Sequence, residues 1–426
     1  MRTVKVTLCL LLVSTACVQA ENWPSWRGPT FNGVAPRGDY PVKWSPSENV
    51  AWKIALPGKG TSTPIVWDKS IYLTCQETAR NSVVALGRDG KVTWKTTIGK
   101  QGIKGKHRKA SGSNPSAATD GRHLYVYFKS GDLACLTLAG KLVWTTNLQQ
   151  AWGKDTLWWD LGTSPVLSAD KVLIAVMQTG GSYVAAFNKT DGKVVWKHDR
   201  NLEAPLEAAQ SYTTPLVLRQ GKRETLIVLG ADHVTAHDVT TGKETWRVGG
   251  LNPTGQKYFR SISSPVIAGD LLLAPYSRGN TLTAIRLGGN GNVTKSHVAW
   301  MNKGGAAADV PSPVVQGDRA FVCSDRGRVT CLNVKTGKAI WSGQAEKNRQ
   351  GFSSSPILAG GRIYITREDG KTFVVDSGDS FKVVAANELG EFTVATPIFS
   401  QGQILLRTTE HLYCIGKRTS AAAAGE

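Results

Sequence analysis

Apolar and polar residues alternate along this chain in short runs, as in Leu124-Tyr125-Val126-Tyr127 and Arg362-Ile363-Tyr364-Ile365, the period of half-buried β-strands. No long helix interrupts them. The runs are organised by one short stretch written several times. Its clearest copy is Ala236-His237-Asp238-Val239-Thr240-Thr241-Gly242-Lys243-Glu244-Thr245-Trp246: a strand, a turn over Thr-Thr-Gly-Lys, and a second strand reaching tryptophan. The same spacing runs from Ala186 through Gly192 to Trp196 and from Cys331 through Gly337 to Trp341. Copies one residue shorter run from Ala85 through Gly90 to Trp94 and from Cys135 through Gly140 to Trp144. Between Ala284 and Trp300 the turn is swollen by Gly288-Gly289-Asn290-Gly291-Asn292.

A second signal counts the units. A small polar residue followed by proline opens each β-rich run, at Thr63-Pro64, Asn114-Pro115, Ser164-Pro165, Thr214-Pro215, Ser264-Pro265, Ser312-Pro313, Ser355-Pro356 and Thr396-Pro397. An apolar dyad, an alternating strand, the Ala/Cys strand and the Trp strand follow, which makes four antiparallel strands per unit. Eight such units predict an all-β fold, an eight-bladed β-propeller over residues 49–416. The tryptophans at 52, 94, 144, 196, 246, 300 and 341 are expected to dock blade on blade, because one four-stranded sheet cannot bury both faces. The seventh unit lacks its tryptophan, reading Val383-Val384-Ala385-Ala386-Asn387. The eighth stops after Tyr413-Cys414-Ile415, one strand short, and Asn49-Val50-Ala51-Trp52-Lys53-Ile54 is predicted to supply that strand and leave no open edge.

Residues 1–20 read as a secretory signal: basic Arg2 and Lys5, an apolar run from Val6 to Val13, and the small-residue site Val18-Gln19-Ala20. This predicts an exported protein, periplasmic or extracellular; lipid anchoring at Cys17 is the weaker expectation, with Ser14 where a lipidation signal usually has leucine. Residues 21–48 hold Trp23-Pro24-Ser25-Trp26-Arg27-Gly28-Pro29, and five prolines there rule out a regular helix or central strand. An extended arm packed on the body is expected. The tail 417–426 is too polar and small to order itself.

The formal net charge is +19, and +17 once Arg2 and Lys5 are removed with the signal. Its dense cluster, Lys100, Lys104, Lys106, His107, Arg108 and Lys109, lacks the aromatics that nucleic-acid binding needs, so no nucleic acid is expected. Attraction to anionic envelope surfaces, with peripheral membrane association, is the plainer reading. Of the five cysteines after residue 20, Cys135, Cys331 and Cys414 fill the repeat's alanine position and read as core. Cys323 and Cys331 flank one hairpin, where an oxidising compartment would permit a bridge. His233 and His237 lie on strand and turn, too far apart to share a metal, and no metal site is expected. No G-x-S-x-G or Ser/His/Asp set suggests a catalytic residue.

Where equivalent positions differ between units, the surface is free to specialise. Five residues before each proline, at one mouth of the ring, stand Lys59, Ala110, Asp160, Gln210, Arg260, Ala308, Gly351 and Phe392. Asp160, Gln210 and Arg260, with Trp158, Trp159, Arg108 and Tyr212 beside them, form the candidate binding rim.

These repeats resemble the quinoprotein-type (PQQ-like) propeller family over nearly all of 49–416, the A-x-D-x-x-T-G-K-x-x-W pattern matching best at 236–246. That family includes PQQ-dependent alcohol and glucose dehydrogenases and BamB, the propeller of the outer-membrane assembly machine. The resemblance implies a scaffold without establishing quinone binding. The vicinal cysteine pair of the alcohol dehydrogenases has no match, and neither do their calcium-binding and catalytic acids. The expectation is an exported, non-catalytic, monomeric propeller without cofactor, which binds a protein or anionic envelope polymer through one mouth, BamB-like in its specific form. A PQQ- and calcium-dependent oxidoreductase and a polysaccharide binder using Trp158 and Trp159 stand as alternatives.

Overall fold

The alternating runs fold into eight antiparallel sheets set around one axis, in a computed structural model that describes residues 21–78, 80–99, 107–305 and 307–417. The signal with Cys17, the basic residues Lys100, Lys104 and Lys106, and 418–426 of the tail lie outside the described residues. Blades 1 to 7 span 65–98, 118–147, 166–199, 216–248, 266–303, 314–344 and 357–388. Blade 8 spans 398–415 and takes its outer strand from Val50–Ala55, which pairs antiparallel with His411–Ile415, Trp52 opposite Cys414 and Lys53 opposite Tyr413. The ring is therefore closed by the N-terminal strand, as the repeat count predicts.

The register explains the repeat. In each complete blade the Trp of the outer strand stands directly opposite the small residue of the third: Ala85 with Trp94, Cys135 with Trp144, Ala186 with Trp196, Ala284 with Trp300. A β-bulge follows immediately, between Ala85 and Leu86 or between Ala186 and Phe187, and turns the outer strand against its neighbour. The indole then reaches the next blade. Trp52, Trp94, Trp144 and Trp196 donate Nε1–H to the carbonyls of Arg88, Leu138, Lys189 and Val239 at 2.8, 3.0, 2.8 and 2.9 Å. Beneath each ring lies the turn glycine of that next blade. A Cβ on Gly192, which has φ +70°, would sit 2.6 Å from the Trp144 ring, so the motif's Gly and Trp are two halves of one contact between blades. The core forms between blades, as where Leu173 and Ala186 of blade 3 meet Leu226 and Val228 of blade 4.

A belt runs round the axis. The backbone N–H of each hydroxyl residue that opens a blade donates to the hydroxyl of the next: Thr63 to Ser116, Ser116 to Ser164, Ser164 to Thr214 and Thr214 to Ser264. It continues through Ser264 to Ser312, Ser312 to Ser355, Ser355 to Thr396, and closes from Thr396 back to Thr63, over 2.8–3.3 Å throughout. This corrects the second unit. Its belt residue is Ser116, with Ala117 in the proline position, and Asn114-Pro115 lies two residues upstream in the connection.

Two departures have local causes. The swollen turn of the fifth unit adds Gly291–Asn292 as a fifth strand on the outer edge of blade 4, parallel to Trp246 and Arg247. In blade 7 the Trp position is Ala385, opposite Val374, and the indole comes from elsewhere. Trp44 of the arm stacks on Tyr364 at 6.4 Å between centroids and 13°. Tyr125 and Phe321 meet their own blade tryptophans, Trp144 and Trp341, at 6.2 and 6.0 Å. Asn387 secures the graft, accepting from Trp44 N at 2.9 Å and donating to Val42 O at 2.9 Å.

The rest of the arm packs on the body as its prolines foretell. It enters the end of the channel where the Gly-Lys turns lie. Trp23 bridges Val66, Pro24 O accepts from Thr119 N, and Ala35 N donates to Leu358 O. Arg27, fully buried, donates to Pro356 O at 3.0 Å and Pro313 O at 2.6 Å. The arm therefore stoppers one end of the channel. The other end, built from the connections that precede each belt residue, is open.

Candidate binding site at the open mouth

Each connection at the open mouth leaves an outer strand and dives to the axis, so its side chains meet those of connections about fifty residues away in sequence. The predicted rim residues divide there into struts and presented surface. Asp160, Gln210, Tyr212 and Arg260 are buried, against the expectation that they face solvent. Asp160 accepts from the backbone N–H groups of Ser111, Gly112 and Leu161 at 2.9, 2.7 and 2.8 Å, which ties the second connection to the third. Burial raises its pKa, opposed by those N–H groups and by Lys129. Arg260 chelates Asp309, with Nη1–Oδ1 and Nη2–Oδ2 both 3.0 Å, and lies 3.5 Å from Glu207.

What these struts hold in place is the tandem Trp158-Trp159. Gln210 Oε1 accepts from Trp158 N at 3.0 Å and from Tyr212 OH at 2.9 Å, while Tyr212 OH accepts from Trp159 N at 3.3 Å. Trp159 Nε1 donates at 2.8 Å to Glu207, whose carboxylate is buried. The backbone of both residues and the indole of Trp159 are thereby fixed, while the two side chains are 41% and 44% exposed. Tyr258, 54% exposed, lies 6.4 Å from Trp158, and Leu206 is exposed in the connection of Glu207. His107 packs edge-on to Trp159 at 5.8 Å. The result is an aromatic ledge on the rim, anchored at Trp159.

Arg108 stands apart from the ledge. It lies over Phe392 at 5.4 Å and reaches Glu368 of blade 7 at 3.3 Å; Lys109 also pairs with Glu368, which accepts from Ser353 at 2.8 Å. The segment 107–109 thus reaches from the connection between blades 1 and 2 to the seventh blade. Among the residues not anticipated, Tyr258 carried a signal, since it precedes Arg260 by the same two residues by which Trp158 precedes Asp160. Glu207 and Glu368 carried none, because their roles depend on neighbours 48 and more residues away.

Inside the ledge the mouth narrows to an axial funnel of about 340 Å³ lined by Trp159, Asp160, Tyr212, Arg260, Lys109 and Val394, among others. A quinone with calcium would need carboxylate oxygens free to face this space. Asp160 is the one carboxylate lining the funnel, and its oxygens are engaged by three N–H groups. Among the described residues no three His, Cys, Asp or Glu side chains cluster to hold a metal ion. The residues present do not fit that group. His237 is a core residue, its ring nitrogens on Gly242 O at 3.1 Å and Thr235 Oγ1 at 2.9 Å. Cys75, Cys135, Cys323, Cys331 and Cys414 are buried free thiols, and the hairpin register sets Cys323 opposite Val329 and Cys331 opposite Phe321. No helix among the described residues is long and apolar enough to cross a membrane.

Comparison with known proteins agrees with this architecture. A family model described as outer membrane protein assembly factor BamB matches residues 79–231 and 209–383. BamB of Bordetella pertussis is 22% identical over 373 residues, 85% of each chain. BamB of Moranella endobia is 30% identical over 124 residues, 26% of this chain and 31% of that protein's length. The crystal structure of BamB from Moraxella catarrhalis superposes with a TM-score of 0.61 at 15% identity, covering 86% of this chain and 99% of that one. A europium-containing methanol dehydrogenase superposes with a TM-score of 0.71 at 11% identity, covering 94% and 99%, a likeness of fold alone. The matched residues run from blade 1 into blade 7, and the chain belongs to the BamB-like family of PQQ-type β-propellers.

Proposed function

We propose that this chain is an exported, non-catalytic scaffold of the cell envelope that holds a protein partner at its open mouth, in the manner of an outer-membrane assembly factor. The observation that carries the reading is the exposed ledge of Trp158, Trp159, Tyr258 and Leu206, with the Trp158-Trp159 backbone held by Gln210 and Tyr212 and the Trp159 indole held by Glu207. Aromatic side chains held rigid before binding lose little entropy on docking, which is the usual quality of an interface anchor. His107 at the ledge and Arg108 apart from it on the same mouth favour a partner that offers carboxylates next to an apolar residue. The family match supports the assembly role. The same account uses neither quinone nor calcium, in keeping with the engaged Asp160.

The test is capture of envelope proteins from the native cell by the purified chain, with the Trp158→Ala/Trp159→Ala variant as the control. The reading expects assembly-machinery components to co-purify and their affinity to fall at least about tenfold in the variant. Equal capture by both proteins, or retention by polysaccharide alone, would remove the ledge from a protein interface. Dye reduction on adding PQQ, calcium and an alcohol would overturn the non-catalytic reading.

A further inference from the structure

Below the funnel and continuous with it, the axis holds a second chamber of about 130 Å³ at the level of the belt. Trp26 of the arm lines it together with seven of the eight belt hydroxyls, all except that of Ser312. Every belt oxygen accepts a neighbouring backbone N–H, which fixes its rotamer. A hydroxyl also carries one proton to donate. Among the described residues no belt hydroxyl donates that proton to a protein acceptor, so a ring of O–H donors, each residue less than a tenth exposed, surrounds one small space.

No charged side chain lines the chamber, and the two buried guanidiniums bonded to backbone beside the belt are both cationic. Arg27 places its guanidinium on the carbonyls of Pro313 and Pro356, the residues that follow belt members Ser312 and Ser355. Arg407, also fully buried, donates to Ser62 O at 3.2 Å and Thr74 O at 2.8 Å, and Ser62 precedes belt member Thr63. Neither forms an ion pair with a carboxylate among the described residues, and none of the residues lining the chamber is acidic. Arg27 is held by carbonyls and Arg407 by carbonyls, the Ser62 hydroxyl and the Cys75 thiol, all neutral groups, so each keeps an uncompensated field.

We propose that the chamber is a binding site for a small monovalent inorganic anion of the chloride class, held by the belt O–H groups and balanced by Arg27 and Arg407. Neutral O–H donors suit a single diffuse charge. A doubly charged oxyanion would call for direct guanidinium contact, and neither Arg27 nor Arg407 lines the chamber. The anion would join the inner ends of the blades whose belt hydroxyls line the chamber, and its binding would add to the stability of the ring.

Crystals of the full chain equilibrated with sodium bromide, measured at the bromine absorption edge, test this directly. An anomalous peak on the axis within hydrogen-bond reach of the belt oxygens is expected; density there without an anomalous signal overturns the proposal. Thermal unfolding at constant ionic strength gives an independent reading. Replacing gluconate by about 100 mM chloride should raise Tm by about 1–2 °C in the native chain. The rise should vanish in Ser164→Ala/Ser264→Ala, while equal Tm values in both salts for the native chain count against the site. Should that variant not fold, the bromide measurement on the native chain decides alone.

Discussion

The two ends of the axial channel are built from the same eight units and turn out opposite in kind. At the stoppered end the repeats agree: Gly-Lys turns recur under the indoles, and the one missing indole is replaced by Trp44 from the arm. At the open end the connections differ in length and residue, and half of what looks free to face a partner is spent on holding the rest. The difference teaches that repetition marks contact between neighbouring blades, whereas variation marks either a strut or a presented surface. Burial decides which.

The largest effect separating the two ends should come from Trp44→Ala. It removes a buried ring from the blade 7 seam and should cost about 3–5 kcal/mol in chemical unfolding, as much as losing a tryptophan from a blade's own strand. A loss below about 1 kcal/mol would mean the arm is an accessory to the ring and not part of it. Gly192→Ala comes next. The added methyl meets Trp144 and must adopt φ +70°, so about 1–3 kcal/mol is expected, and an unchanged unfolding midpoint would break the account of Gly and Trp as halves of one contact.

A pH-dependent effect of similar or smaller size belongs to His237, in the turn strand of blade 4. Burial, reinforced by Arg200, lowers its pKa from 6.5 to about 4. Between those values the unfolded chain binds the extra proton, so stability falls as pH drops from about 6.5 to about 4. His237→Leu, the residue type found at Leu86 and Leu136, should flatten that part of the stability curve; an unchanged slope would assign the pH dependence elsewhere. The smallest stability effect is expected at the open mouth. Trp158→Ala/Trp159→Ala should change unfolding free energy by less than about 1 kcal/mol while weakening partner capture, and a larger loss would make the ledge part of the core.

The wheel of blades and its closing strand could be read from the chain because Trp, Gly and Ala/Cys meet within one blade or the next, at fixed spacing. The register of the second unit was misread because proline was weighed above hydroxyl. Pro115 is in the connection, and it is the Ser116 oxygen that completes the belt. Trp44 as a substitute for the absent blade 7 tryptophan was invisible to spacing, since the two positions lie more than three hundred residues apart. The mouth was half legible. Trp158 and Trp159, which fall outside the docking pattern, are exposed, but Asp160, Gln210, Tyr212 and Arg260 are buried by connections that only the closed ring brings together.

The pairing of Trp52 with Cys414 spans 414 − 52 = 362 residues. A chain synthesised from its N-terminus must keep Val50–Ala55 waiting, edge exposed, until the last strands arrive, because nothing earlier offers that strand its native partner. The final blade is thus a check on completeness: a product truncated before His411 is left with two unmatched edges, open to aggregation and proteolysis.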